Sequence, residues 1–381
     1  MKRIRISTFF LIINSIYTLS LCVTPPPVPS NKANNLVSDK EILFGQSAML
    51  SGSFELYGTM IKNAINACFK RVNHDGGIGG KTLRLISLDD QGDPEKAAQN
   101  VNILKSNGVS MFLGNMGTRS ILKVLPRIQS KEIAMFFPWG GDDRLRDPKL
   151  SHIINGPGLL QPQLVALVEH IVNNIKHKKI AIFHADDDFS TQAANDLIKE
   201  LANNTIRPTM VTVYNRFTLD IIKHADKIIE TDPKIVICIS TNTPTTRLID
   251  RFFTQGHYAT LFFGIDSTLF VGDILKDKGA NFSYTSAVPD PRTSTTHVAT
   301  EYRRDLKSYA PQETPNILSF AYYLSALILV EAMKKNPGTI SKEQIIENIE
   351  NMKNYDLGGF TVHFNAKNRH AFGEQISLIK G

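Results

Sequence analysis

Residues 44–100 read FGQSAMLSGSFELYGTMIKNAINACFKRVNHDGGIGGKTLRLISLDDQGDPEKAAQN, and this stretch sets the pattern of the whole chain. Residues 57–73 carry apolar side chains at helical spacing, and residues 81–90 alternate as a strand does. The glycines between them therefore close a helix and begin a strand. Asp93 and Pro94 then fit the cap and the first turn of a second helix. The stretch predicts strand, helix, strand and helix in succession.

The segment Gly80-Lys81-Thr82 looks at first like a nucleotide phosphate loop. That motif needs a glycine five positions before Gly80, where this chain has Asp75. It also needs a strand before the loop and a helix after it, and here the order is reversed. The sequence therefore predicts a turn, with no nucleotide and no other cofactor.

Strand-like runs alternate with helical periods in two batches, at about 42–155 and about 158–285. This alternation predicts an α/β fold with parallel sheets covered on both faces. A long apolar helix at about 315–335 interrupts the alternation, and residues 355–381 read as short antiparallel strands. The polar residues of that helix favour burial inside the protein over a membrane span: Tyr322, Tyr323, Ser325 and Glu331.

The N-terminus predicts a secretory signal over residues 1–22, because three basic residues precede a short apolar run. An uncleaved membrane anchor is the alternative, but the run is short for a span. Leu19 to Cys22 resemble a lipoprotein box in which Cys22 would be lipidated, although Leu21 stands where a small residue is usual. The Pro- and Asn-rich residues 23–38 predict an extended tether. We therefore expect a periplasmic or other extracytoplasmic location, with membrane attachment through Cys22 as an option.

Composition and motifs argue against several classes of function. The formal net charge is +7, but the basic residues are scattered, which argues against nucleic-acid binding. Neither G-x-S-x-G nor H-E-x-x-H occurs, so the sequence does not predict an enzyme. The acids at 186–188 are more typical of a solvated loop than of a metal site. Cys68 and Cys238 are predicted to be buried free thiols.

Ligands of parallel sheets bind outside the carboxyl ends of the strands. The loops at these ends are rich in Gly, Ser, Thr and Asp, whose hydroxyls and free N–H groups suit a carboxylate or similar polar head. Aromatic side chains in the same loops would supply apolar walls. The candidate ligand-binding residues are Ser51, Tyr57, Gly117, Thr118, Trp139, Gly140, Gly141, Phe189, Asn242 and Asp266.

The order of motifs in residues 44–100 resembles the opening of the type I periplasmic binding proteins of the branched-chain amino-acid (leucine/isoleucine/valine-binding) ABC transporter family. The matching features are the "LSG…YG" loop, "N-x-x-GGI-x-G", a strand ending in "DD", and "DP" at a helix start. The likeness extends to "GGFTVHFN" at 358–365. It implies two Rossmann-like lobes with parallel sheets, joined by a three-strand hinge and closing on a small solute.

On this resemblance we expect one lobe to comprise residues 39–156 and 286–354. The other lobe would comprise residues 157–285 and 355–381. The closed form would be recognised by an ABC transporter permease or, in some relatives, by a membrane sensor, and a monomer is expected.

The resemblance also implies roles for individual residues of the first lobe. Thr118, with Gly117 beside it, matches a hydroxyl that holds the ligand carboxylate in relatives. Arg119 departs from the pattern and would lie at the cleft mouth or, as we favour, in solvent. Gly141 stands where amino-acid binders have a threonine, which argues against a strict amino-acid specificity.

In the second lobe, Phe189 stands where amino-acid binders have a cleft tyrosine. Asp266 matches an acid that pairs with a ligand amine, or it caps the segment that starts at Ser267. Tyr57 matches a tyrosine that lines the cleft, or it only packs beside Gly58. The expected function is capture of a small polar or carboxylate-bearing solute, such as an amino acid or amide, for a permease. A ligand-sensing receptor on the same scaffold is the alternative, and an enzyme is less favoured.

Overall fold

A computed structural model describes residues 40–156, 160–218, 220–338, 340–369 and 376–380. The predicted signal at 1–22, the tether at 23–38 and Cys22 lie outside these residues. Two sheets and their covering helices make up most of the described chain.

The first sheet has five strands in the order β2-β1-β3-β4-β5, all of them paired in parallel. The strands are β1 Glu41–Ala48, β2 Thr82–Asp89, β3 Met111–Leu113, β4 Ala134–Phe136 and β5 Ile153–Ile154. Three helices connect them: α1 Glu55–His74, α2 Pro94–Ser106 and α3 Thr118–Gln129. Strands β1, β3 and β4 are almost wholly buried, as expected for a parallel sheet covered on both faces.

The second sheet has six strands in the order β13-β10-β9-β8-β6-β7, and only β13 runs antiparallel to its neighbour. Its strands are β6 Ile180–Ala185, β7 Met210–Tyr214, β8 Ile235–Ile239, β9 Leu261–Gly264, β10 Phe282–Ser286 and β13 Ser377–Lys380. Its helices are α4 Leu160–His170, α5 Asp188–Asn203, α6 Ile221–Ile229, α7 Asn242–Thr254 and α8 Val271–Leu275. The predicted parallel α/β architecture is confirmed.

The remaining elements lie between β10 and β13: α9 His297–Tyr309, α10 Ile317–Lys334, α11 Lys342–Glu350, β11 Tyr355–Asp356 and β12 Thr361–Val362. Within the described residues, α10 is the one helix long and apolar enough to cross a membrane. The protein itself buries 89% of it, and it packs along α1. The prediction of a buried helix is confirmed.

A buried carboxylate fixes α10 to its neighbours α1 and α9. Asp305 of α9 accepts a 2.6 Å hydrogen bond from the Tyr323 hydroxyl, and Nε of Arg71 lies 3.1 Å from the same carboxylate. Asp305 is 2% exposed. Because a buried charge is tolerated only when it is paired and hydrogen-bonded, Asp305 requires these contacts, and they join the three helices.

The local predictions for residues 73–108 are confirmed. Asp93 accepts from the N–H groups of Glu95 and Lys96 and so caps α2. Gly77 has a φ of +76°, and a Cβ there would lie 2.1 Å from the carbonyl oxygen of Lys81. The glycine segment is therefore a tight turn between a helix and a strand.

Both predicted free thiols are also confirmed, since Cys68 and Cys238 are buried and unpaired by disulfides. Burial raises the pKa of the Cys68 thiol to about 12, so the thiol is protonated and unreactive at neutral pH.

The proposed lobe boundaries stay a prediction. The N–H of Asn155 donates to the carbonyl oxygen of Arg369 at 2.8 Å, and that of Phe364 donates to Met352 at 2.8 Å. Residues 364–369 thus contact the chain on the side of the first sheet, whereas β13 joins the second sheet. The C-terminal segment contacts both halves of the fold.

Candidate functional site

Loops and helix starts that follow strands of the first sheet contact loops and helix starts that follow strands of the second. We call this contact the junction. It is formed by Tyr57, Trp139 and Gly141 on one side and by Phe189, Asn242, Asp266 and Ser267 on the other. Six of these seven residues were sequence candidates, and the structure brings them together.

Tyr57 makes the central polar contact of the junction. Its hydroxyl donates to the carbonyl oxygen of Ser267 at 3.0 Å and accepts from Nδ2 of Asn242 at 2.9 Å. Oδ1 of Asn242 in turn accepts from the N–H of Phe270 at 2.9 Å. Burial raises the pKa of Tyr57 well above its usual value, so the phenol stays neutral. Tyr57 therefore ties the two sheets together through satisfied, buried hydrogen bonds.

Trp139 covers the ring of Tyr57. The two rings stack with centroids 5.5 Å apart and planes inclined by 28°. Backbone bonds hold the tryptophan in place, since its N–H donates to Asn115 at 2.8 Å and its carbonyl accepts from Gly117 at 3.0 Å. In the described structure Gly117 thus supports Trp139.

Gly141 and Phe189 fit each other closely across the junction. A Cβ on Gly141 would lie 2.3 Å from Cδ2 of Phe189. The phenyl ring therefore fills the space that a side chain at position 141 would need. This contact gives a physical reason why this chain has glycine at position 141, where amino-acid binders of the family have threonine.

Thr118 and Gly140 support the same loop. The Thr118 hydroxyl accepts a 3.2 Å hydrogen bond from the N–H of Gly141. A Cβ on Gly140 would lie 2.7 Å from Cδ1 of Ile121, so a side chain here would require the Ile121 side chain to move. In the described structure both residues shape the loop around Gly141.

Ser51 is hydrogen-bonded to a residue of its own sheet. Its hydroxyl donates to the carboxylate of Asp89 at 2.6 Å, and the other oxygen of Asp89 accepts from the N–H of Leu50 at 2.9 Å. These bonds attach the loop after β1 to the end of the neighbouring strand β2. Among the described contacts, none joins Ser51 to the other candidates.

Asp266 is the one acid in the junction. Its carboxylate accepts from Nε2 of Gln163 at 3.2 Å, and Oε1 of Gln163 accepts from the Thr285 hydroxyl at 3.2 Å. Burial raises the pKa of Asp266 to about 6. The backbone N–H of Ser267 also bonds this carboxylate and partly offsets the rise of its pKa, so Asp266 has a local structural role at the start of its short 3-10 turn as well.

Trp139 and Asp266 line a small cavity between the two sheets. The other lining residues come from the end of β10, the segment after it and the start of α10: Ser286, Ala287, Val288, Ile317, Leu318 and Ala321. Asp266 is the only charged residue among the eight. The cavity therefore combines one acid, one aromatic face and apolar walls.

Arg119 lies at the rim of the junction and does not enter it. Its guanidinium makes two hydrogen bonds to the carboxylate of Asp188, at 2.9 and 3.2 Å. The two side chains are 61% and 65% exposed. Arg119 is thus in solvent contact, as favoured from the sequence, yet it also joins the loops of both sheets.

The acids at 186–188 have structural roles. Asp187 caps α5 by accepting from the N–H of Ser190, and Asp188 pairs with Arg119. Among the described residues, no group of three His, Cys, Asp or Glu side chains could hold a metal ion.

The sequence did not point to Gln163, Ser267 or the lining residues on α10. Their partners lie far away in the chain, which no local pattern reveals. One signal was available for Gln163, because it is a 1% exposed amide on the apolar helix α4. A buried amide needs a hydrogen-bond partner, and that partner is Asp266.

The two sheets, their crossovers and the cavity between them define the type I class of periplasmic binding protein. A family model described as periplasmic binding protein matches residues 41–378. The chain belongs to this family, whose members include the Leu/Ile/Val-binding proteins.

Individual relatives are distant. The Leu/Ile/Val-binding protein homolog 3 of Brucella melitensis is 24% identical over 144 residues, which cover 38% of this chain and 39% of the relative. The chain thus spans about two fifths of the length of this curated relative.

Among solved structures, the substrate-binding periplasmic protein of Ralstonia solanacearum has a TM-score of 0.79 and 22% identity, covering 89% of this chain and 97% of that one. The fatty acid ABC transporter substrate-binding protein of Thermomonospora curvata has a TM-score of 0.80 and 17% identity, covering 90% and 89%. At such identities the likeness establishes the fold.

Proposed function

We propose that this protein is an extracytoplasmic solute-binding protein that captures a small ligand at the junction and delivers it to an ABC permease. The cavity lined by Trp139 and Asp266 is the observation that carries this proposal. Small-molecule sites combine apolar and aromatic walls with a few convergent polar groups, and this cavity has that composition. Its volume of about 10 Å³ has room for about one water, so the junction must widen to admit a ligand.

Hinge closure is the proposed mechanism of capture. Periplasmic binding proteins close around their ligands by rotation of the two lobes about a hinge, so this mode is expected from the family. Here the hydrogen bonds of Tyr57 to Ser267 and Asn242 exist only when the two sheets are close together. A ligand that touches both Trp139 and Asp266 would favour this closed arrangement, because an open one would lose one of the two contacts.

Binding without chemical conversion is part of the proposal. The polar groups of Tyr57 and Asn242 are engaged in hydrogen bonds that hold the two sheets together. The names of the relatives describe binding proteins, and one of them names an ABC transporter. A permease is therefore the partner we propose. The predicted signal at 1–22 would place the protein outside the cytoplasm, with lipid attachment at Cys22 as an option.

A ligand screen tests this proposal. The protein freed of residues 1–22 is heated with amino acids, amides, short carboxylates and amines. A ligand at one hundred times its Kd should stabilise the fold by about 2.7 kcal/mol. A screen in which no compound raises the melting temperature would contradict small-solute binding.

Fluorescence gives a second readout of the same binding event. Trp139 is the only tryptophan of the chain, so its emission should change when a ligand enters the cavity. In Trp139→Phe the fluorescence signal should disappear while a weaker thermal shift persists. A ligand that shifts the melting temperature but leaves Trp139 emission unchanged binds elsewhere.

A further inference from the structure

We propose that the second sheet carries a docking surface for an anionic membrane, formed by basic side chains at the edge opposite the junction. We call this surface the basic edge, and it comprises Lys176, Lys178, Lys179, Arg207 and Lys234. The inference goes beyond solute binding, and it rests on the proposed function only for the location outside the cytoplasm.

The fold brings together basic residues that are scattered along the sequence. Strands β7, β6 and β8 are neighbours and run parallel, so they all begin at one edge of the sheet. Basic residues precede each of the three: Lys176, Lys178 and Lys179 before β6, Arg207 before β7 and Lys234 before β8.

Backbone hydrogen bonds hold the starts of these strands side by side. The N–H of Lys234 donates to the carbonyl oxygen of Lys179 at 2.9 Å, and the N–H of Thr209 donates to that of Ile180 at 2.7 Å. The three loops therefore form one continuous surface.

The charges of the basic edge face solvent, since all five side chains are exposed. The acids of the same loops are Glu230 and Asp232. Asp232 lies 3.2 Å from Nζ of both Lys179 and Lys234 and so compensates one of these two charges. Among the described ion pairs, none involves the other three basic residues of the edge. The surface thus keeps an excess of positive charge.

The corresponding edge of the first sheet is balanced in charge. In the loops before β2, β4 and β5, each basic residue has an acid in the same loop: Asp75 with Lys81, Lys131 with Glu132, and Asp147 with Lys149. An excess of positive charge is therefore not a general property of strand starts in this fold.

The opposite edge of the second sheet has the opposite charge. The chain that follows β6 and β7 carries four acids and one base: Asp186, Asp187, Asp188, Asp220 and Arg216. Strand β6 has 6 residues, so the two edges lie about 20 Å apart. This separation of charge would turn the basic edge towards an anionic surface and leave the junction free for solute.

The width of the edge favours an extended surface over a small anion. Beyond β8, Tyr258 precedes β9 and is 63% exposed, and Lys380 of β13 pairs with Ser283 at the start of β10. Six strands at a spacing of about 4.8 Å make this row about 24 Å wide. An exposed tyrosine is also typical of the level of lipid headgroups. Nucleic acid is an extended anion too, but outside the cytoplasm the membrane is the adjacent anionic surface.

Vesicle sedimentation tests the inference. Residues 1–22 lie outside the compact unit of the chain, so the protein freed of them keeps its fold and carries no lipid anchor. In low salt it should sediment with vesicles of phosphatidylglycerol and phosphatidylcholine, and it should stay in solution with phosphatidylcholine alone. Concentrated sodium chloride should release it. Equal binding to both kinds of vesicle, or binding to neither, would overturn the inference.

Two triple variants assign the binding to the basic edge. Lys176→Gln/Lys178→Gln/Lys179→Gln removes three charges from it and should weaken binding to the anionic vesicles at least about tenfold. The control Lys81→Gln/Lys131→Gln/Lys149→Gln removes three charges from the first sheet and should bind nearly as the unaltered protein does. Each triple contains one lysine with a φ of +60°, Lys176 or Lys131, so the backbone effects are matched.

An equal loss of binding in the two triple variants would make net charge responsible, and the basic edge would lose its role. Lys176→Arg/Lys178→Arg/Lys179→Arg keeps the charge and should bind the anionic vesicles as the unaltered protein does. A loss in this variant as large as in the glutamine variant would also contradict recognition by charge.

A single-stranded DNA oligonucleotide tests the other extended anion. If the protein binds it more tightly than the anionic vesicles, and the glutamine variant loses that binding, the basic edge is a nucleic-acid site and the membrane inference is wrong. Vesicle binding and solute binding are measured separately. Failure of vesicle binding therefore leaves the proposed solute-binding function standing, and an empty ligand screen leaves the membrane inference standing.

Discussion

The interior of the junction and its rim join the same two sheets by different kinds of contact. Inside, the hydroxyl of Tyr57 makes two neutral hydrogen bonds, and its side chain is 4% exposed. At the rim, Arg119 and Asp188 make two charged hydrogen bonds, but both side chains are more than 60% exposed. An exposed ion pair contributes only about 0.2–1 kcal/mol to the free energy of unfolding. A buried polar group that is left unpaired lowers the free energy of unfolding by about 1–3 kcal/mol. Burial, more than charge, should decide which contact controls closure.

The largest effect is expected from Gly141→Thr, which tests the tightest contact of the interior. Any Cβ at this position meets the ring of Phe189. Such overpacking costs about 1–3 kcal/mol, so ligand affinity, measured by Trp139 fluorescence, should fall about 5- to 150-fold. The double variant Gly141→Thr/Phe189→Ala should recover part of the loss. Gly338→Thr is the control, since a Cβ there meets nothing within 4 Å.

Tyr57→Phe tests the polar contact of the interior. The ring can still stack on Trp139, but Nδ2 of Asn242 and the carbonyl of Ser267 lose their partner. Closure should weaken by about 1–3 kcal/mol, seen as a faster ligand dissociation rate in stopped flow. Tyr258→Phe, at an exposed tyrosine, should change nothing. An unchanged dissociation rate in Tyr57→Phe would show that the buried hydrogen bonds of Tyr57 do not control closure.

Asp266→Asn tests a third kind of contact, a charge in the interior without a cationic partner. Its pKa is raised to about 6, so the ligand-free protein loses stability through this group as pH rises from about 4 to about 6. The titratable groups that interact with it are Tyr57, Tyr284 and Tyr322, whose pKa values are all raised and which stay neutral in this range.

Without ligand, Asp266→Asn should therefore be more stable than the unaltered protein at pH 7.5, by about 1–2 kcal/mol, and equal to it near pH 4. Urea unfolding at the two pH values measures this difference. A stabilising substitution that weakens ligand binding would show that the acid serves binding at the expense of stability. If Asp266→Asn is less stable than the unaltered protein at pH 7.5, then Asp266 stabilises the fold and has a structural role.

Arg119→Ala should have the smallest effect. The exposed pair with Asp188 contributes at most about 1 kcal/mol, and salt screens it. Ligand affinity should fall less than about fivefold in low salt, and the difference should vanish in concentrated sodium chloride. If Arg119→Ala weakens binding more than Tyr57→Phe does, the rim controls closure and the ranking by burial is wrong.

The parallel α/β architecture, the turn at residues 76–80 and the burial of the helix at 317–334 could be predicted from the amino-acid sequence. These features depend on apolar periodicity, caps and glycine conformation, which are encoded within about one helix length of chain. The family likeness also came from local motifs in order, such as the "DD" that ends β2 and the "DP" that opens α2. For the same reason six of the seven junction residues were among the candidates, since loops after parallel strands lie at one edge of a sheet.

The partners of these residues follow from contacts that form only in the folded protein. Tyr57 binds Ser267, which is 210 positions away, and Asp266 binds Gln163, 103 positions away. Two further contacts likewise depend on which elements meet in space. They are the packing of Phe189 on Gly141 and the hydrogen bond of Ser51 to Asp89. Such contacts are selected by the packing of the whole chain, so local sequence patterns name the residues but do not assign their partners.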